Sequence, residues 1–120
     1  GFEWTRIEPG IAEGEFEVKP HHFAANGFLH AGSVVALADS ACGYGCVSTL
    51  PEGATGFATL EIKSNFLGTA RKGVVLVAAR LVHGGRSTQV WDATVTTERE
   101  GKEQVIALFR CTQQLLYPRA

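Results

Sequence analysis

The stretch NGFLHAGSVVALADSACGYG, residues 26–45, decides how this chain folds. It carries one carboxylate, Asp39, among Val34, Val35, Ala36, Leu37, Ala38, Ala41 and Cys42. A charge in such a setting is costly unless a partner or a function compensates it. The apolar run over 29–50 approaches membrane-spanning length, but Asp39, serines and glycines interrupt it and no basic cluster flanks it. It reads as a buried helix over 32–50, stopped by Pro51 and Gly53.

At about 100° per residue, Gly32, Val35 or Ala36, Asp39, Gly43 and Cys46 fall near one line down this helix. Asp39 therefore lies on a face of mostly small side chains. The N–H groups of Ala31, Gly32 and Ser33 lie at the helix start, where open donors and the positive dipole end favour an oxyanion. A donor pair and a desolvated carboxylate are two parts of acyl transfer. Asp39 is roughly 10 Å along the axis from Gly32, too far for both to serve one carbonyl. A functional site then combines the helix start of one subunit with Asp39 of another; the alternative is that Asp39 bonds a loop N–H or a partner-chain serine.

Outward from the helix the pattern is sheet. Strands are expected over 2–7 and 11–18, joined by Glu8-Pro9-Gly10, with Ala12, Gly14, Phe16 and Val18 on one parity. Beyond the helix, strands are expected over 57–67, 74–83, 87–97 and 104–116, with Leu60, Ile62 and Phe66 sharing a face. Two strands, one helix and a meander define an α+β fold: an antiparallel five- to six-stranded sheet wrapped around one long central helix, in a single domain over 1–120. Trp91 and Phe66 are expected in core or interface packing, and Glu61 and Lys63 share a strand face as a potential pair.

Composition narrows the class. The 120 residues are 45% hydrophobic, enough for one core, and the net charge of −1 gives no basic surplus for nucleic acid or an anionic membrane. Cys42, Cys46 and Cys111 are an odd set without CxxC spacing, so buried thiols in a reducing, cytoplasmic setting are expected, and no metal. The absence of methionine and the start at Gly1 suggest a trimmed beginning, with an initial helix expected ahead of it.

Gly27, His30-Ala31-Gly32 and Leu37-Ala38-Asp39, followed by TLEIKSNFLGTA, VHGGRSTQVWDATV and IALFRCTQ, resemble the hotdog-fold acyl-CoA thioesterases, and within them the PaaI-like branch of phenylacetate degradation. The resemblance covers about residues 10–117. It implies hydrolysis of an acyl-CoA, aryl or hydroxyaryl as a first expectation, by a homodimer or homotetramer with sites at the dimer interface. No cofactor is implied, since coenzyme A is part of the substrate. By the same resemblance Asp39 is nucleophile or general base, the Ala31 N–H with Gly32 beside it is the oxyanion donor, and Thr59 helps hold the attacking water.

Relatives often carry HxNxxG before the motif. Ungapped counting places His22 and Gly27 correctly and Ala24 at the asparagine position, so Asn26 is the candidate for the thioester contact. His30 and His22 support or orient the loop and substrate, and Arg86, Ser87 and Thr88 are expected near the phosphates of coenzyme A, with Lys63 and Arg71 as further candidates. Relatives have glycine where Ala31 stands, and a positive φ there would strain alanine. A hotdog dehydratase is the second enzymatic reading, although His22-Phe23-Ala24-Ala25 matches its HFPG only in part. A non-catalytic acyl-CoA-binding protein is the third.

Overall fold

The computed structural model describes residues 1–25 and 27–119. Strands β1 (Glu3–Glu8) and β2 (Ile11–Glu17) form the first hairpin, and Gly10 closes its turn at φ 84°. A short 3-10 turn, Pro20–His22, leads to helix α1 (Ala31–Ser48), which is followed by β3 (Gly56–Phe66), β4 (Val74–Gly84), β5 (Thr88–Arg99) and β6 (Lys102–Leu116). The six strands make one antiparallel sheet in the order β1-β2-β4-β5-β6-β3.

Alternation selects the inner face of the sheet. Ala12, Gly14 and Phe16 of β2, Val75, Val77 and Ala79 of β4, and Trp91, Ala93 and Val95 of β5 all turn toward α1. They meet Val34, Leu37, Ala38, Ala41, Cys42 and Cys46 of the helix. Trp91 is fully buried and its Nε1–H donates to Gln89 Oε1 at 2.7 Å, so the largest core side chain has both its area and its polar atom satisfied. Truncating such a residue to alanine costs about 3–5 kcal/mol.

The small residues of α1 have a local explanation. A Cβ at Gly45 would stand 2.6 Å from the Trp91 ring, and one at Gly43 would stand 3.2 Å from Phe57 Cζ. These glycines let α1 sit close on its own sheet, so the clearance they provide is intramolecular.

Three expectations about the helix change. It has 18 residues and ends at Ser48, where Thr49 donates through Oγ1 to Gly45 O at 2.7 Å and accepts from Gly10 N–H at 2.9 Å. It is also covered on one side only: Ala36, Tyr44 and Val47 remain exposed, so the sheet does not wrap a long central helix. Cys46, placed by spacing on the Asp39 line, turns instead into the core. Among the described residues no helix is long and apolar enough to cross a membrane.

β3 departs from the expected half-buried pattern. It is an edge strand, bonded to β6 alone, and Leu60, Ile62 and Phe66 are all exposed. Glu61 and Lys63 form no ion pair in the described residues; the outer sheet face instead carries Arg110 on Asp92, Nε to Oδ1 at 2.5 Å and Nη2 to Oδ2 at 2.8 Å.

Candidate active site

The first turn of α1 is organised by His30. As the N-cap residue, at φ −62° and ψ 127°, it accepts the Gly32 N–H on Nδ1 at 2.9 Å and the Ser33 N–H on its carbonyl at 3.0 Å. Its own N–H donates to His22 O at 2.6 Å, and Leu29 N–H donates to Thr69 Oγ1 at 2.8 Å, so loops on both sides fix the helix entry. The Ala31 N–H has no partner among the described residues. The Gly32 hydrogen is engaged by the His30 ring, and the Ala31 N–H is the open donor of this turn among the described residues. Ala31 is helical, and Glu100 is the non-glycine residue with positive φ in the described chain, so the feared strain at Ala31 is absent.

Asp39 lies eight residues beyond Ala31, about 12 Å along the axis. It is half-buried, and no hydrogen bond or ion pair reaches its carboxylate from the described residues. Burial holds its carboxyl above the usual aspartate value. Among the described residues no loop N–H compensates it.

Asp39 and Gly43 lie at the border between the sheet-facing and open sides of α1, and Phe57 against Gly43 shows that this border faces β3. Thr59 is two residues along β3 from Phe57, about 6.6 Å, while Asp39 is four residues up α1 from Gly43, about 6 Å. The helix start lies beside the far end of β3 and Gly43 lies beside Phe57, so α1 and β3 run in opposite senses. Thr59 Oγ1 donates to Gln113 Oε1 at 2.6 Å, beside a register shift between Thr59 and Glu61.

Two grooves flank the helix start. One, about 470 Å³, is lined by Phe28, Leu29, Ala31, Val34, Phe66 and Leu67 among others; the second, about 580 Å³, lies along Phe2, His21, His22, His30, Ser33 and Ala36. Arg71 reaches the first through its guanidinium, 6.0 Å from the Phe28 ring centre.

The other expected residues divide between the two ends of the fold. His22 is buried against Phe16, ring centres 4.6 Å apart, and accepts Lys19 N–H on Nδ1 at 2.8 Å, so it anchors the loop. Burial and neighbouring His21 lower its affinity for a proton. Arg86 and Ser87 occupy the β4–β5 turn and Thr88 opens β5 at the opposite end, near the close of α1: Ser87 O accepts from Leu115 N–H, Arg86 O accepts the Tyr117 hydroxyl, and the Arg86 side chain is exposed. Asn26 lies outside the described residues. Cys42, Cys46 and Cys111 are buried free thiols; a hydrogen bond with Cys111 and then burial push the Cys42 thiol up, and burial pushes Cys46 up to about 11. Among the described residues no three His, Cys, Asp or Glu side chains are grouped to hold a metal.

A sequence profile of the thioesterase superfamily matches residues 26–104, and the chain belongs to that superfamily, its sheet and helix forming the hotdog thioesterase fold. It is a thioester hydrolase. The chain is 34% identical over 112 residues to the 1,4-dihydroxy-2-naphthoyl-CoA hydrolase of Listeria monocytogenes, a match spanning 93% of this chain and 88% of that protein. It is similar to a thioesterase family protein from Silicibacter pomeroyi, with 35% identity, a TM-score of 0.89, and coverage of 98% and 86% of the two chains. A Streptococcus mutans protein solved bound to acetyl CoA aligns at 29% identity and a TM-score of 0.87, over 100% of this chain and 92% of that one.

Sequence reasoning passed over Gln89 and Gln113, both fully buried. Parity was the available signal: Gln89 shares a face with Trp91, Ala93 and Val95, and Gln113 with Phe109, Cys111 and Leu115.

Proposed function

We propose that the chain, as one domain over 1–120, hydrolyses acyl-CoA thioesters with an aryl or hydroxyaryl acyl group, at sites shared across a homodimer. The observation that carries this reading is the pairing, on one helix, of a carboxylate with no partner and a first-turn N–H with no partner among the described residues, about 12 Å apart. One thioester carbonyl cannot touch both within a protomer, whereas two helices related by a two-fold bring the Ala31 of one against the Asp39 of the other. The unpaired β3 edge, 11 residues long with exposed Leu60, Ile62 and Phe66, offers the seam, and pairing two such edges gives one continuous sheet.

In this site the Ala31 N–H receives the carbonyl oxygen. Asp39 takes a proton from water as the water oxygen bonds to carbon, and the carbonyl electron pair becomes an oxyanion on that N–H. Collapse breaks the C–S bond, and the thiolate takes the proton from Asp39 to give coenzyme A and the free acid. In the nucleophilic form of the same chemistry, Asp39 attacks the carbonyl carbon, the C–S bond breaks to release the thiolate and leave a mixed anhydride, and water cleaves that anhydride to the free acid and the Asp39 carboxylate, its released proton going to the thiolate. Burial of Asp39 favours either role by making the carboxylate a stronger base than one in water.

The groove beside Ala31 supports the aryl group, because the half-exposed rings of Phe28 and Phe66 form its mouth. The naphthoyl-CoA substrate named for the Listeria relative, and the His30 to Asp39 motif of the phenylacetate-type branch, point the same way. A two-fold also carries the Arg86 turn of one protomer toward the helix start of the other, where Arg86, Ser87 and Thr88 meet the phosphates. The test is thiol release across aryl and aliphatic acyl-CoA esters, with Asp39→Asn as the control. Release from aryl esters that is lost in a folded Asp39→Asn supports the reading, and release at the wild-type rate by Asp39→Asn defeats it.

A further inference from the structure

Gln113 is the polar group that the fold does not explain. It is fully buried, opposite Gln89 in the β5–β6 register. Gln89 is accounted for by the core: its Oε1 takes the Trp91 N–H at 2.7 Å and its Nε2 donates to Thr49 O at 3.1 Å, tying β5 to the end of α1. Gln113 makes one bond, from Thr59 Oγ1–H to its Oε1 at 2.6 Å, and its Nε2 has no partner. For packing alone, an apolar side chain of similar size would serve better than an amide with an orphan donor.

We propose that Gln113 is a positioning residue that fixes the hydrogen of the Thr59 hydroxyl and so makes Thr59 an acceptor toward the water that attacks the thioester. A hydroxyl has one hydrogen and two acceptor positions. With the hydrogen engaged by Gln113, only acceptor positions remain toward the flank of α1 that carries Asp39. The register shift between Thr59 and Glu61 turns β3 at this point, the way such irregularities re-aim a side chain beside a site. A water held between Thr59 Oγ1 and the Asp39 carboxylate donates one hydrogen to each and presents a lone pair to the carbonyl carbon. The hydrogen shared with Asp39 is the one transferred as the C–O bond forms, and the hydrogen on Thr59 stays with the product acid. A freely rotating Thr59 would also offer its own hydrogen to that lone pair and divert it.

This inference rests on hydrolysis at Asp39 and adds the group that orients the water. The experiment compares kcat, KM and melting temperature of the full-length protein with Gln113→Leu, Gln113→Glu, Thr59→Val and the double variant Gln113→Leu/Thr59→Val, in the thiol-release assay. Gln113→Leu and Thr59→Val should each lower kcat about tenfold with KM within about twofold, and the double should be no slower than either single. Gln113→Glu, which keeps an acceptor for Thr59, should recover most of kcat. Gln113→Leu should melt at or above the wild-type temperature. A Gln113→Leu protein with wild-type kcat, one that fails to fold, or losses that multiply in the double variant each overturn the proposal. Those outcomes with an inactive Asp39→Asn leave the hydrolytic reading standing; an active Asp39→Asn, or a wild type without thiol release, removes both.

Discussion

Replacing Ala31 by proline deletes one hydrogen atom from the site and leaves the rest of the fold intact. Proline is favoured at the first position of a helix, which Ala31 occupies, because the N–H it lacks has no intrahelical acceptor there. The residue ahead of a proline must be extended, and His30 already is, at φ −62° and ψ 127°. No hydrogen bond is lost among the described residues, since Gly32 and Ser33 donate to His30 and Ala31 donates to nothing. Stability should therefore change by less than about 1 kcal/mol, with a gain as reasonable as a loss. Activity should not survive: removing one donor from an oxyanion site costs about 2.7–4 kcal/mol of transition-state stabilisation, or roughly 10²–10³ in kcat. Ala31→Ser, which keeps the N–H, is the matched control. The assay is thiol release under steady-state conditions alongside far-ultraviolet circular dichroism and thermal melting. An Ala31→Pro protein that melts normally and keeps kcat/KM within about threefold of wild type would refute the assignment of Ala31 as the oxyanion donor.

Two further predictions test the scaffold. Gly45→Ala places a Cβ 2.6 Å from a Trp91 ring that its bond to Gln89 holds still, so it should destabilise by about 1–3 kcal/mol in chemical denaturation despite the better helix propensity of alanine; unchanged or raised stability would contradict the docking of α1 on Trp91. His22 binds a proton less readily folded than free, so its contribution to stability is complete above about pH 6.5 and is lost as pH falls below that value toward its lower folded pKa. Melting curves between pH 7.5 and 5 (about that range suffices) should fall more steeply for wild type than for His22→Leu, and parallel curves would exclude His22 as the source.

Local chemistry made much of this legible in the sequence. Pro9-Gly10 and the parity of Ala12, Gly14 and Phe16 marked the first hairpin, and Pro51 with Gly53 marked the end of the helix. What failed to show were facts that depend on which element lies opposite which. Alternation grouped Leu60, Ile62 and Phe66 on one face but carried no sign that β3 is an edge strand, because parity does not encode the order of strands. Gly43 belonged to a face of small side chains, but nothing along the chain ties Gly43 to Phe57 or Gly45 to Trp91. The site behaved likewise. Asp39 stood out as a lone carboxylate in an apolar run, whereas the occupation of Gly32 by the His30 ring depends on a cap geometry that residue types alone do not specify. Gln113 is hard to pick out because a glutamine in a strand is normally solvent-facing, and only its company on the inward face of β6 marks it.

Complementation between two inactive variants tests the shared site most directly. Ala31→Pro and Asp39→Asn chains, co-expressed with different affinity tags and purified through both, give a heterodimer in which one site joins two intact halves and the other carries both lesions. Thiol release from this heterodimer at about half the wild-type rate, with each parent homodimer near background, is the predicted result. A heterodimer as inactive as its parents would show that Ala31 and Asp39 do not meet across the interface.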